Sequence, residues 1–129
     1  MEKTQINPWT WQDARGFSQA WKVENCQTVV FLSGQTSISE DGRVMHEGDF
    51  GAQVRLAFEN LRTVLEAAGA SLDNVVKLGV FLVDMGRLAE YSAIKAEFFK
   101  GKQPASTAVG VTSLAAPGLL VEIEAIAVL

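Results

Sequence analysis

Glu122 and Glu124 stand two residues apart in the apolar run Leu119 to Leu129. Side chains alternate along a strand, so this spacing puts both carboxylates on one face, about 7 Å apart. Two carboxylates that close would raise one another's pKa if both were buried, and a carboxyl so tuned can move a proton to or from water. The competing reading is an exposed polar edge, which suits Glu124 in particular. His46 is the only histidine and Cys26 the only cysteine, and they lie far apart. Neither a zinc site nor a Cys-His nucleophile pair has local spacing to support it, so no metal is expected. His46 reads as a surface residue and Cys26 as a small core or loop residue. No Gly-rich phosphate loop and no nucleophile-elbow pattern occurs. Trp9, Trp11 and Trp21 suit burial near an interface better than a pocket lining.

The elements that must position these groups follow from periodicity. Phe17 to Glu24 alternates, and Thr28 to Ser33 is β-branched and aromatic, so both read as strands. Asp41-Gly42 suits a short hairpin turn. From Asp49, a candidate N-cap, apolar residues recur at helical steps from Phe50 through Val54, Phe58, Leu61 and Leu65 until Gly69. Val75 to Leu82 reads as a strand covered on both faces. Asp84 then precedes Leu88, Tyr91, Ile94 and Phe98 at helical spacing, with Gly101 as a stop and Lys100 and Lys102 as helix C-terminal charges. Ser106 to Ser113 and Leu119 to Leu129 read as strands about a turn at Ala116-Pro117-Gly118. This order fits an α+β fold, a mixed sheet with two helices on one face. The sheet's other face then needs cover, and self-association is the economical answer; Lys77, Glu122 and Glu124 could instead leave it solvated.

At 129 residues the chain fits one domain, residues 1–129, large enough to sustain a core without staples. One cysteine excludes an intrachain disulfide and points to a reducing, cytoplasmic setting. The first residues lack the apolar stretch of a signal peptide, and no run is long and apolar enough to cross a membrane. Net charge is −4 with only scattered basic residues, which disfavours a nucleic-acid partner.

Gly16-Phe17-Ser18-Gln19-Ala20, Leu32-Ser33-Gly34-Gln35, Val75-Val76-Lys77, Val80-Phe81-Leu82-Val83-Asp84, Pro104-Ala105 and Val121 to Ala127 together resemble the Rid (YjgF) family of reactive-intermediate deaminases. The likeness spans residues 16–128; the segment 1–15 lies outside it. It implies a chorismate-mutase-like fold, a homotrimer with clefts between subunits, and cofactor-free hydrolysis of small imines and enamines to 2-keto acids and ammonia. RNA cleavage, also attached to some relatives, is disfavoured by the acidic balance.

The resemblance also carries site residues. Glu122 matches the family's water-activating glutamate, and Ser33 retains the family's serine. Ser106 occupies the place of the arginine that grips a substrate carboxylate, and a hydroxyl supplies one neutral hydrogen bond where a guanidinium supplies two charged ones. Phe17 stands for a tyrosine, Gly86 for an asparagine and Ala108 for a cysteine, so the polar lining is thinned. Arg15 and Arg87 flank these positions and are candidate replacement cations, although each would otherwise be a solvated surface residue. The implied function is a hydrolytic deaminase with altered substrate range; the alternative is a non-catalytic trimeric binder of a small, mostly apolar metabolite.

Overall fold

The structure, a computed structural model, describes residues Met1–Leu129. Strands β1 (Glu2–Ile6) and β2 (Ala20–Glu24) form an antiparallel ribbon, joined through a 3-10 turn at Trp11–Arg15. The main sheet contains β3 (Val29–Gln35), β4 (Val75–Leu82), β5 (Ala105–Gly110) and β6 (Val121–Val128), in the spatial order β3-β6-β4-β5. Helices α1 (Phe50–Ala67) and α2 (Leu88–Phe98) complete the fold. β4 and β5 run parallel, with α2 as their crossover, and the other pairs are antiparallel.

The long elements form where periodicity places them. The Asp49 side chain accepts the amide of Ala52 at 3.0 Å, capping α1, and Gly69 follows the helix at φ 75, a left-handed conformation suited to glycine. Phe58, Leu61 and Leu65 of α1 pack on Leu78, Val80 and Leu82 of β4 and on Val121 and Ile123 of β6 in one core. Phe58 also stacks on Phe98 of α2, with centroids 4.9 Å apart. The Asp41-Gly42 turn closes a short hairpin, with Ser39 donating to the Arg43 carbonyl at 2.9 Å and Ile38 bridging Val44.

One expectation changes, and one strand is added. Phe17 to Glu24 is not one strand: only Ala20–Glu24 pairs regularly, and Ser18 makes an isolated bridge to Ala105. Ser18 is drawn away because its hydroxyl donates to the Gln103 carbonyl and its amide to Pro104 O. Glu2–Ile6, which carries no apolar alternation, is nevertheless a strand because β2 supplies its ladder partner.

Both helices cover one face of the main sheet. The other face presents Phe31, 77 % exposed, and Val109, 41 % exposed, among Glu122, Glu124, Lys77 and Thr107. No helix of the chain is long and apolar enough to cross a membrane.

Candidate functional site

Strand register divides the candidate residues between the two faces of the sheet. Ser106 pairs with Leu78 and Ala108 with Val80, and both partners are core residues, so Ser106 and Ala108 belong to the helix-bearing face. Glu122 pairs with Phe81 and Glu124 with Gly79, on the opposite face. The expectation that the two glutamates share a face therefore holds, and Glu124 is exposed. Ser33 shares this open face, two residues from the exposed Phe31.

At the β5 edge, the helix-bearing face opens into a cleft of about 940 Å³. Arg15 and Phe17 form one wall, Gly86 the rim at the start of α2, and Ser106 and Ala108 the sheet side. Five of the candidate residues, scattered from 15 to 108, thus converge on one space. Local polar contacts hold the wall in place. Gln5 donates to the Ser18 hydroxyl at 2.7 Å, and buried Gln12 donates to Trp9 O at 2.7 Å while accepting from Gln19 at 3.3 Å. Trp11 meets the Phe17 ring edge-on at 5.7 Å, and the Arg15 guanidinium lies 5.3 Å over Trp11.

Arg87 is not in this cleft. It leaves the 3-10 turn at Met85–Arg87 toward the start of α1, where its guanidinium lies 5.3 Å over the Phe50 ring, and it pairs with Glu90 at 3.2 Å. Of the two replacement cations, only Arg15 lines the cleft.

Two further cleft residues were not among the site residues expected from the sequence. Lys95 is 5 % exposed, and its ammonium donates to the Gly16 carbonyl at 2.7 Å. Desolvation by burial lowers its pKa from 10.5 to about 8. Tyr91, one turn earlier on α2, is 2 % exposed, and its hydroxyl has no hydrogen-bond partner. Burial pushes that hydroxyl's pKa upward and keeps it neutral. The available signal was spacing: residues 91 and 95 share a face with Leu88, so Lys95 falls on the inward stripe.

On the open face, Glu122 lies flat across Gly34. A Cβ at Gly34 would stand 2.6 Å from Glu122 Cδ, and one at Gly79 would stand 2.8 Å from Glu124 Cγ. The β3 ladder is irregular here: Leu32 pairs with Ala125 and Gln35 with Ile123, so Ser33 and Gly34 together oppose Glu124. Neither glutamate takes part in an ion pair within the chain. No group of three His, Cys, Asp or Glu side chains is arranged to hold a metal.

Two helices backing a four-stranded mixed sheet, with a cleft at its parallel edge, define a small α+β protein of the Rid (YjgF) type. The family model described as Endoribonuclease L-PSP matches residues 11–129, and the chain belongs to that family. It is 38 % identical over 114 residues to Protein HMF1 of Saccharomyces cerevisiae, covering 88 % of this chain and 84 % of that protein. It is 40 % identical over 111 residues to a RutC family protein of Pyrococcus horikoshii, covering 86 % and 85 %. Among solved structures, the Rid family protein YyfB from Yersinia pestis superposes over 100 % of both chains with a TM-score of 0.89 and 36 % identity. RidA from an Antarctic Psychrobacter matches with a TM-score of 0.73 and 38 % identity over 88 % of each chain.

Proposed function

We propose that this chain is a hydrolytic deaminase of small reactive imines and enamines, acting as a homotrimer at clefts completed by a neighbouring subunit. One observation carries the reading: Ser106 and Glu122 lie on opposite faces of one sheet. A carboxylate cannot serve a substrate across its own sheet, so the cleft of one subunit needs the open face of another. The exposed Phe31 and Val109 supply apolar area for that contact. Membership in the family that includes RidA supports the same assignment.

In this scheme the substrate enters as a protonated imine, whose carbon is already electrophilic. Glu122 of the neighbour accepts a proton from water as the water oxygen bonds to that carbon, and the C–N π pair moves to nitrogen. The resulting carbinolamine takes the proton back from Glu122 on nitrogen. Glu122, a carboxylate again, takes the hydroxyl proton as the oxygen pair forms the C=O bond and the C–N bond breaks, giving ammonia and a ketone or 2-keto acid. Phe17, Gly86 and Ala108 bring no polar side-chain atom to the cleft, and Ser106 supplies no charge. The substrate range therefore differs from that of an arginine-bearing site.

Ammonia release from imines generated by an amino-acid oxidase tests this directly. Glu122→Gln should slow it at least ~100-fold, the size of a lost proton-transfer catalyst. An unchanged rate would remove Glu122 from the mechanism. The apolar lining favours a second reading, a trimer that binds a small metabolite without turning it over. A thermal-shift screen in which no small molecule raises the melting temperature would count against it. The name Endoribonuclease L-PSP points to RNA cleavage, but a net charge of −4 gives phosphates little to bind.

A further inference from the structure

The cleft contains a buried cation that the hydrolysis scheme leaves without a task. Lys95 is 5 % exposed, yet it belongs to none of the chain's ion pairs, all of which lie at exposed or partly exposed side chains. An ammonium has three donors, and only one is used, toward Gly16 O at 2.7 Å. One turn earlier on α2, the Tyr91 hydroxyl is buried without a partner. Both residues line the same cleft as Ser106. Charges and polar groups removed from water normally retain partners, because an unpaired one costs several kcal/mol by order of magnitude. Asp13 is the one acidic residue lining the cleft, and it makes no ion pair with Lys95. A fold that keeps a buried cation outside any ion pair and an unpartnered hydroxyl four residues apart on one helix face has a complement in view: a small anion.

We propose that Lys95 is the cation that holds a substrate carboxylate in this cleft, taking over from α2 the charge that Ser106 does not supply from β5. Arg15 is the competing cation. It is exposed and lies over the Trp11 ring, so water and salt screen its attraction, whereas the surroundings of Lys95 are poorly screened. The shape of the group also matters, since an ammonium is a point charge and offers no two-pronged grip. Such a cleft should accept short carboxylates in more than one orientation and favour compact 2-keto and 2-imino acids.

This inference rests on reading the cleft as the substrate site, so its test measures binding separately from turnover. Pyruvate and its uncharged amide are titrated calorimetrically into the full-length protein. Wild type should bind pyruvate at least ~10-fold more tightly than pyruvamide, a difference of about 1.4 kcal/mol. Lys95→Met should abolish that preference, Lys95→Arg should retain most of it, and Arg15→Met should weaken pyruvate less than Lys95→Met does. If Lys95→Met fails to fold, the Lys95 Nζ resonance of the wild-type protein decides: it should shift on adding pyruvate and stay in place with pyruvamide. Equal binding of the two probes by wild type, full pyruvate affinity in Lys95→Met, or an unmoved resonance would overturn the assignment. Pyruvate binding that depends on Lys95 but comes with no imine hydrolysis would overturn the deaminase reading and leave the carboxylate site standing.

Discussion

Glu122 rests on the backbone of Gly34, close enough that a Cβ on Gly34 would stand 2.6 Å from the Glu122 Cδ. The one missing methyl group lets the carboxylate lie along the sheet instead of projecting from it. Gly34→Ala should push the carboxylate aside and cut imine hydrolysis at least ~10-fold. The obstructing atoms belong to a flexible side chain, so the stability loss should stay within about 1–2 kcal/mol. Paired assays of ammonia release and urea unfolding check both.

The open face should be a subunit interface. Phe31 is 77 % exposed in the isolated chain, and its ladder partner Ile126 shares the same face. Wild type should sediment as a trimer and Phe31→Lys as a folded monomer without hydrolysis, while far-ultraviolet circular dichroism stays unchanged. A wild-type protein that sediments as a monomer at micromolar concentration would remove the shared cleft.

Lys95 sets a pH dependence of stability. Its folded pKa is lowered to about 8 from 10.5, so below about pH 8 both states carry the proton and the folded chain bears the full desolvation cost. As pH rises from about 8 toward 10.5, the folded chain gives up the proton while the unfolded chain keeps it, and stability climbs. The gain is on the order of 3 kcal/mol at most. Tyr91 acts in the opposite sense, but only once unfolded tyrosine ionises near about pH 10. Asp13 and Arg15 are the other charged residues lining the cleft. Chemical unfolding between about pH 7.5 and 9.5 should show the rise in wild type and a flat profile in Lys95→Met.

Gln53 should be a structural linchpin. It is fully buried on α1, donates to His46 O at 3.2 Å and Gly118 O at 2.8 Å, and accepts from Leu120 N at 2.9 Å. It thereby ties the turn before α1 to the turn before β6. Gln53→Leu keeps the volume but orphans two backbone groups, Gly118 O and Leu120 N, since His46 O keeps the Asp49 amide as a donor, and it should cost about 2–4 kcal/mol in urea unfolding.

The sequence by itself determined the elements whose signal is local. The three- and four-residue steps of Phe50 to Leu65 dictate α1, the cap at Asp49 sets its start, and the alternation of Val121 to Val128 already puts Glu122 and Glu124 on one face. The resemblance also picked Phe17, Gly86, Ser106 and Ala108, which the structure gathers at one cleft. Tertiary structure alone decided that Ser106 and Glu122 occupy opposite faces, because the face of a strand residue depends on its pairing register, and register is a property of two strands. It alone made Glu2–Ile6 a strand, through β2, and turned Arg87 outward onto Phe50. Lys95 is the sharpest case. Spacing aligns it with Leu88 and Tyr91, but a lysine on a helix reads as solvated because its charge is costly to bury, and the packing of Gly16 over α2 is what settles its burial.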